Sequence, residues 1–174
     1  MRITGGSLKG RRVICPPGVI RPAMDRMRES LFSILGPLDG LSFLDLFSGS
    51  GVIALEAISR GADPVTAVER DRGKRAIMEQ NLAMAPTRPV LVFAPVERFV
   101  KQSRATYDLV FADPPFDYRF KNDLLLRIAR VVTPGGRVVL HYPAGDIING
   151  QAGPLTMADE RKYGRSMARI FRRE

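Results

Sequence analysis

The stretch LSFLDLFSGSG, residues 41–51, joins an apolar run to a turn that is rich in glycine. The apolar run over 41–47 predicts a buried strand, and the residues that follow predict a helix over 52–60. Gly49 and Gly51 lie between these elements, where the missing Cβ lets a ligand approach the backbone closely. A strand, a glycine turn and a helix in this order predict an open α/β sheet that binds its ligand at the carboxyl ends of the strands.

The alternation of apolar runs and helical spacing continues through the rest of the chain. Four more strands are predicted over 65–69, 89–94, 107–113 and 137–142, and three more helices over 73–84, 96–104 and 121–131. The tail over 162–171 alternates like a closing strand, with Met157 near the end of its partner. This βαβα order favours an α/β fold, in which helices cover both faces of a mostly parallel sheet.

The length predicts one domain with a small N-terminal extension. A chain of 174 residues is long enough to build one hydrophobic core. Residues 2–15 predict a β-hairpin with glycine-containing turns, and 24–35 has the apolar spacing of a helix. We therefore expect one domain over 1–174, made of a hairpin extension over 1–20 and a ligand-binding core over 21–174.

Composition disfavours several classes of protein. The longest apolar runs are far shorter than the roughly 20 residues of a membrane helix, and the N-terminus shows no secretory signal. Cys15 is the only cysteine, which excludes an internal disulfide and a metal site built from cysteines. We expect a cytoplasmic monomer with no membrane partner and no metal.

The net charge of +9 is concentrated at the two ends of the chain. Residues 1–28 carry seven basic side chains against Asp25, and 161–174 carry six against Glu174. Most of the basic residues are arginines, whose planar guanidinium group suits phosphates and base edges. A generic basic surface is the alternative, but basic clusters around a near-neutral centre favour a nucleic-acid partner.

The glycine turn alone leaves more than one ligand open. Glu69 ends the next strand, where a carboxylate can hold ribose hydroxyls, and the turn over 49–51 with Ala54 also fits the dinucleotide pattern. A tight turn without a ligand is a further alternative. Asp45, before the turn, would repel a pyrophosphate. It suits a cationic ligand such as the amine and sulfonium of S-adenosylmethionine.

The segment FADPPFDYRF, residues 111–120, ends a predicted strand on Asp113 and two prolines. Each proline holds the preceding residue extended and lacks an N–H. The Asp113 carboxylate and the Pro114 carbonyl therefore form a rigid pair of acceptors, with Phe116 as a flat face beside them. Two such acceptors can rotate the lone pair of a nucleobase –NH2 out of conjugation and aim it at a methyl group. An ordinary strand-ending turn is the alternative.

These motifs resemble those of a known enzyme family. Three are similar to the cofactor, ribose and catalytic motifs of class I methyltransferases that act on exocyclic amines: DLFSGSG (45–51), VERD (68–71) and DPPF (113–116). Three flanking segments narrow the resemblance to the bacterial 16S rRNA guanine-N2 methyltransferases: GGSLKGRR (5–12), RPAMDRMRESLFSIL (21–35) and YGRS (163–166). The resemblance implies a Rossmann-like fold with a mostly parallel, seven-stranded sheet, whose last strand is antiparallel and which a β-hairpin precedes.

The resemblance also implies an activity, a cofactor and a partner. These are methyl transfer from S-adenosylmethionine to the N2 of a guanine of the guanine-966 type, in 16S rRNA, the small ribosomal subunit or an assembly intermediate. The predicted catalytic residues are Asp113, Pro114, Pro115 and Phe116, and the predicted cofactor-binding residues are Asp45, Phe47, Ser48, Gly49, Gly51, Glu69 and Arg70. The predicted RNA-binding residues are Arg2, Lys9, Arg11, Arg12 and Arg21. The alternative for the basic hairpin is that it only covers apolar surface.

The chain departs from the family pattern at two points. Ala23 follows Pro22 where the family usually has threonine, which removes a hydroxyl near the methionine end of the cofactor. After the third strand the family has an acidic or amide residue near the adenine, whereas this chain has APVE over 94–97. Which group reads the adenine amine therefore stays open, with Glu97 as a candidate.

The remaining polar residues receive weaker assignments. His141 lies in a predicted strand and is interpreted as a core or edge residue, and TPGGRVV (133–139) as a turn before that strand. Arg26, Arg28 and Glu29 form either a solvated helix face or part of the cofactor entrance.

Three other functions stay open. A DNA adenine-N6 methyltransferase also uses motifs of the DPPF type. A nicotinamide-dependent oxidoreductase would need a hydride-handling site, and the sequence shows no convincing Tyr-Lys pair or catalytic histidine. A non-catalytic RNA-binding or assembly factor would leave DPPF without a role.

Overall fold

The computed structural model describes residues 1–15 and 25–174, which form an eight-stranded sheet with helices on both faces. Its strands are β1 (Phe43–Leu46), β2 (Val65–Glu69), β3 (Val90–Phe93), β4 (Tyr107–Ala112), β5 (Val132–Pro143), β6 (Gln151–Ala152), β7 (Leu155–Tyr163) and β8 (Ser166–Arg173). Its α-helices are α1 (Asp25–Leu35), α2 (Val52–Ser59), α3 (Arg75–Leu82), α4 (Val96–Gln102) and α5 (Lys121–Ile128). Short 3-10 helices at Arg72–Lys74 and Ala129–Val131 precede α3 and follow α5. The strands and helices predicted over 41–142 are confirmed, although β5 begins earlier than expected, at Val132. The single closing strand expected over 162–171 was wrong in its bounds, because the chain turns at Gly164, where β7 has ended at Tyr163 and β8 begins at Ser166.

The strand order is β3-β2-β1-β4-β5-β8-β7-β6. Strands β1 to β5 are parallel, and β8 is antiparallel to both of its neighbours. The expectation of seven strands was wrong, because the chain turns at Gly153 and Pro154 and the two residues of β6 pair back onto β7. A strand of two residues is too short to leave an apolar pattern in the sequence.

The two faces of the sheet carry separate apolar clusters. Helices α1, α2 and α3 pack on one face together with the N-terminal loop, and α4 and α5 pack on the other. Strands β1 and β2 are buried throughout, which explains why they appear in the sequence as continuous apolar runs rather than as alternating ones. Among the described residues, no helix has the length and apolar character needed to cross a membrane.

The N-terminal segment, residues 1–15, is a loop in which the predicted β-hairpin is not confirmed as a pair of strands. Among the described residues it has one antiparallel bridge, between Arg2 and Arg12, and backbone hydrogen bonds from Ile3 N–H to the Arg11 carbonyl and from Val13 N–H to the Met1 carbonyl, each over 3.0 Å. The loop also bonds to α2: Leu8 N–H donates to Ser59 Oγ over 2.8 Å. A Cβ on Gly6 would lie 1.8 Å from the Ser59 carbonyl oxygen, so this contact requires glycine.

Three apolar side chains of the loop enter the core. Ile3 and Val13 are each 2% exposed and Leu8 is 7% exposed. The loop therefore does cover apolar surface, as the alternative for this segment proposed. The boundary expected at residue 20 lies outside the described residues.

Arg28 is neither on a solvated helix face nor at an entrance, because its side chain is completely buried. Its Nε donates to Glu56 Oε1 over 3.2 Å, and its Nη2 donates to the carbonyl oxygen of Arg2 over 2.6 Å and to Asp25 over 2.5 Å. The guanidinium group thus joins α1, α2 and the N-terminal loop. Its neighbours Arg26 and Glu29 are exposed.

We predict that Arg28→Met destabilises the fold by about 3–5 kcal/mol, because it leaves the buried Glu56 carboxylate without its main charge partner. Urea unfolding measures the change. Arg26→Met is the matched control, since it removes the same charge from an exposed position of the same helix and should change stability by less than about 0.5 kcal/mol. Equal effects of the two substitutions would contradict the assignment.

Candidate active site at the carboxyl edge of the sheet

The turns that follow β1, β2, β3 and β4 meet at one edge of the sheet. Backbone hydrogen bonds continue past the strand ends: Ser48 N–H donates to the Val68 carbonyl over 3.0 Å, and Ala94 N–H donates to the Glu69 carbonyl over 3.1 Å. Between these turns lies a cavity of about 530 Å³. It is lined by Phe47, Ser48, Gly49, Ser50, Val52, Ile53, Glu69, Arg70, Lys74, Pro95, Val96, Glu97, Asp113, Pro114, Pro115, Phe116, Asp117 and Tyr118.

The glycine turn after β1 has an unusual backbone conformation. Phe47, Gly49 and Gly51 have φ angles of 61°, 57° and 80°. This left-handed region is accessible to glycine but costs energy for a bulky side chain, so Phe47 stores strain. The Phe47 ring packs edge-on against Tyr118, with centroids 5.6 Å apart, and this contact helps to hold the strained turn.

Glu69 fastens the glycine turn to the turn after β2. Its Oε2 accepts from Gly49 N–H and its Oε1 from Asp71 N–H, each over 2.9 Å. Lys74 Nζ lies 3.6 Å from Oε1. A carboxylate has about four acceptor positions, so Glu69 keeps capacity for ligand hydroxyls while it fixes the turn.

Asp45 lies below the glycine turn and does not line the cavity. Its Oδ2 accepts from Ser48 Oγ over 2.6 Å and from Ala54 N–H over 3.1 Å. Its Oδ1 is buried without a hydrogen-bond partner among the described residues. Burial raises the pKa of Asp45 to about 7; the bonds from Ser48 and Ala54 oppose this, and the negative charges of Asp113 and Glu69 raise it further.

The DPPF loop after β4 places the predicted catalytic residues on the cavity wall. The Pro115 carbonyl accepts from Tyr118 N–H over 2.9 Å and closes a turn. Nothing in the described part of the chain donates to the Pro114 carbonyl, so this oxygen is available as the predicted acceptor.

The buried Lys121 ammonium group fixes the DPPF loop from below. It donates to the Phe116 carbonyl over 3.2 Å, to the Tyr118 carbonyl, and to Asp146 over 2.7 Å. Because Asp146 belongs to the loop after β5, one ammonium group ties the two loops together.

The structure brings most of the predicted cofactor and catalytic residues together. Asp45 and Gly51 lie under the turn instead of on the cavity wall, and Arg2, Lys9, Arg11 and Arg12 lie on the N-terminal loop, away from the cavity lining. Arg21 and Ala23 lie outside the described residues. Among residues 1–15 and 25–174 no cluster of histidine, cysteine, aspartate and glutamate could hold a metal ion.

Sequence reasoning missed Lys74, and it considered Tyr118 only as an alternative to Phe116 for stacking on the base, without its contact with Glu97. The Tyr118 hydroxyl donates to Glu97 Oε1 over 2.7 Å, and burial raises the Tyr118 pKa, with the Glu97 hydrogen bond adding to the shift. The available signal was their position, since both follow the carboxyl ends of parallel strands. Glu97, in the first turn of α4, lines the cavity. Its role in recognising the adenine of the cofactor stays a prediction.

Comparison with known proteins gives consistent relatives along the whole chain. A family model described as conserved hypothetical protein 95 matches residues 1–172. Ribosomal RNA small subunit methyltransferase D of Escherichia coli strain K12 is 33% identical over 186 residues, which cover 100% of this chain and 90% of that protein. The solved structure of a hypothetical protein of Thermus thermophilus has a TM-score of 0.83 and 29% identity, covering 98% of both chains. A conserved hypothetical protein of Streptococcus pyogenes has a TM-score of 0.79 and 30% identity, covering 84% of this chain and 95% of that one.

We predict that Asp45 makes the stability of the protein depend on pH. Its folded-state pKa lies above the ordinary value of 3.8, so between about pH 4 and pH 7 the folded protein holds a proton that the unfolded chain has lost. The free energy of unfolding contributed by this group therefore falls as pH rises through that window. Urea unfolding of wild type and Asp45→Asn, measured at several values between about pH 4 and pH 7, should show that wild type loses stability relative to the variant as pH rises. Asp39→Asn, at an exposed site, should follow wild type. Parallel curves for wild type and Asp45→Asn would refute the buried, neutral carboxyl.

Proposed function

The chain belongs to the family of the small-subunit ribosomal RNA methyltransferases with which it aligns, and from this premise we propose that it methylates the exocyclic N2 of a guanine in 16S rRNA. S-adenosylmethionine is the methyl donor. The finer assignment to guanine N2 rests on the resemblance of the motifs and flanking segments to the guanine-N2 methyltransferases, and the acceptors of the site are compatible with it.

The observation that carries the proposal is that one cavity contains both halves of such a reaction. The glycine turn at Gly49 lets the cofactor approach the backbone closely, Glu69 supplies a carboxylate for it, and Asp113 and Pro114 supply two acceptors for an amine. The amine and the methyl group must meet in line, and a shared cavity at the ends of adjacent strands supplies this orientation.

The charges in the site favour a cationic cofactor. Four carboxyl groups line the cavity, those of Glu69, Glu97, Asp113 and Asp117, against the two cationic side chains of Arg70 and Lys74. Such a group attracts a sulfonium and an ammonium, whereas it repels the pyrophosphate of a nicotinamide cofactor. This disfavours the oxidoreductase alternative.

The chemical step requires no strong base. Bound S-adenosylmethionine would supply an electrophilic methyl group, and the N2 lone pair of guanine would form the new N–C bond to it. The nitrogen then carries a positive charge and releases one hydrogen as a proton to the Asp113 carboxylate, which passes it to water. Before the step, Asp113 and the Pro114 carbonyl accept from the two N–H groups and turn the lone pair towards the methyl group.

The aromatic residues beside the acceptors suit a base taken out of its stack. Phe116 and Tyr118 both line the cavity. Stacking on an aromatic side chain is worth about 1–3 kcal/mol per base, which offsets part of the cost of unstacking it from the RNA. The same acceptors would fit the N6 amine of adenine, so DNA adenine methylation is the function to test against.

The deciding experiment is transfer of a labelled methyl group to three substrates: naked 16S rRNA, small-subunit particles from a strain lacking the corresponding enzyme, and DNA. Nucleoside mass spectrometry should find N2-methylguanosine in one of the two RNA substrates. N6-methyladenine in DNA would establish the alternative, and cofactor binding with no transfer to any of them would support a non-catalytic factor.

Substitution of Asp113 should separate chemistry from cofactor binding. We predict that Asp113→Ala lowers the rate of transfer by roughly a hundredfold or more, because a misplaced amine loses its orientation. Its affinity for S-adenosylmethionine, measured by calorimetry, should stay within a few-fold of wild type. Glu69→Ala is the reciprocal variant and should weaken cofactor binding by about 1.5–3 kcal/mol. If Asp113→Ala loses cofactor binding as strongly, its role is misassigned.

The basic N-terminal loop is proposed to hold RNA phosphates. The apolar residues of this loop belong to the core, so deleting the loop would disturb folding as well as RNA binding. Point substitutions of its basic residues are therefore needed to test RNA binding alone. Lys9, Arg11 and Arg12 are exposed, whereas Arg2 Nη1 donates to the Gly10 carbonyl over 2.8 Å and is best retained.

We predict that replacing Lys9, Arg11 and Arg12 together by glutamine weakens RNA binding and makes its salt dependence shallower by about 2 log–log units, at about 0.7 per phosphate contact. Cofactor affinity should not change. The control replaces Arg98, Lys101 and Arg104, three exposed residues in and just after α4 on the opposite face of the sheet. An identical salt slope for both triple variants and wild type would rule out the docking role.

A further inference from the structure

His141 contacts two residues that the proposed function places at the target base. Its Nδ1 lies 2.7 Å from Asp113 Oδ1. Its ring packs edge-on against Phe116, with centroids 5.6 Å apart and an interplanar angle of 64°. The side chain is only 7% exposed, and its Nε2 is buried without a hydrogen-bond partner in the described part of the chain.

The strand register explains why these groups meet. Ala112 of β4 pairs with Leu140 of β5, so the next residues along the two parallel strands, Asp113 and His141, lie side by side. On its other side His141 pairs with Ala168 of β8, a small and fully buried residue that leaves room for an imidazole ring. The interpretation of His141 as a core residue is therefore right about its burial and incomplete about its contacts.

The contact fixes where the imidazole carries its hydrogen. An ionised carboxylate only accepts hydrogen bonds, so the bond to Asp113 Oδ1 requires the hydrogen on Nδ1. The imidazole therefore donates from Nδ1 to Asp113, and its Nε2 has no hydrogen-bond partner in the described part of the chain.

A carboxylate held by one oxygen has a defined direction for the other. The terminal torsion of an aspartate side chain is broad, so an unrestrained Asp113 would sample many orientations. With Oδ1 bonded to His141, Oδ2 is the oxygen left for the amine of the base. The same imidazole ring also packs edge-on against Phe116, and this contact fixes the orientation of the Phe116 ring.

We propose that His141 is a positioning residue for methyl transfer, which orients the Asp113 carboxylate through Nδ1–H and supports the base-stacking face of Phe116. This inference rests on the proposed function, because it gives Asp113 the role of amine acceptor. His141 does not touch the substrate and takes no proton from it.

The first test is spectroscopic and needs no substrate. His141 is the only histidine in the chain, so the nitrogen resonances of imidazole-labelled protein belong to it without ambiguity. We expect hydrogen on Nδ1 in the wild type, and loss of this preference in Asp113→Ala. Hydrogen on Nε2 alone in the wild type, or a ring that is unaffected by Asp113→Ala, overturns the inference.

The second test compares substitutions that keep or remove the donor. The amide nitrogen of His141→Asn occupies the position of Nδ1, whereas that of His141→Gln lies one carbon further out, and His141→Leu has no donor. We expect kcat to fall about tenfold to a hundredfold in the Leu and Gln variants, the range for a hydrogen bond to a charged group. The Asn variant should recover to within a few-fold of wild type, and cofactor affinity should be unchanged in all three.

Tyr142→Phe is the matched control, because Tyr142 is the next residue of β5, points to the opposite apolar cluster and bonds to Glu160 instead. It should keep the wild-type kcat. Equal kcat in the Leu, Gln and Asn variants overturns the inference alone, while the proposed function stands. A wild-type protein that methylates no guanine overturns the proposed function, and with it the positioning role of His141, whatever its tautomer.

Discussion

Strand β1 is hydrogen-bonded along both edges, to β2 on one side and to β4 on the other, and the candidate site depends on this pairing. Because the three strands are parallel, their carboxyl ends meet, and the turns that follow them face one another. Leu46 pairs with both Val68 and Ala112, so the glycine turn, Glu69 and Asp113 begin from one level of the sheet. Adjacent strands are about 4.8 Å apart. The separation between the cofactor turn and the amine acceptors is therefore set by the sheet, which is rigid, and not by the loops.

The same edge contains the energetically unfavourable features of the molecule. Phe47 has a positive φ of 61°, and the Asp45 carboxyl group is buried with one oxygen lacking a partner among the described residues. Both features cost stability, and the fully buried β1 strand beneath them supplies the packing that offsets this cost. Backbone strain beside a cavity is typical of a preorganised site, in which the protein groups need not reorganise when the ligand arrives.

The sequence predicted the parts of the site that depend on strand ends, and it could not predict the parts that depend on which elements are neighbours. Glu69 and Asp113 were identified because apolar runs show where strands stop, and parallel strands bring their carboxyl ends together. The contact of His141 with Asp113 requires the strand order, which periodicity does not contain. Arg28 is similar: its helical spacing fits a solvated face, but its partner Glu56 is 28 residues away on another helix, and only the packing of the two helices buries the pair.

The N-terminal loop is attached to the cofactor turn through one buried amide. Asn81 of α3 donates from Nδ2 to the carbonyls of Ile14 and Ser50, over 2.7 Å and 2.9 Å, and its Oδ1 accepts from Ile14 N–H over 2.9 Å. The loop that carries the exposed basic residues is thus fixed relative to the turn over 49–51. A basic segment that is already ordered loses little conformational entropy when it binds phosphates. Phosphates held by this loop would then have a set distance from the cavity. With the proposed RNA contact, the RNA and the cofactor would be positioned by the same rigid part of the structure, and the distance from the bound phosphates to the cofactor turn would be set by the Asn81 hydrogen bonds.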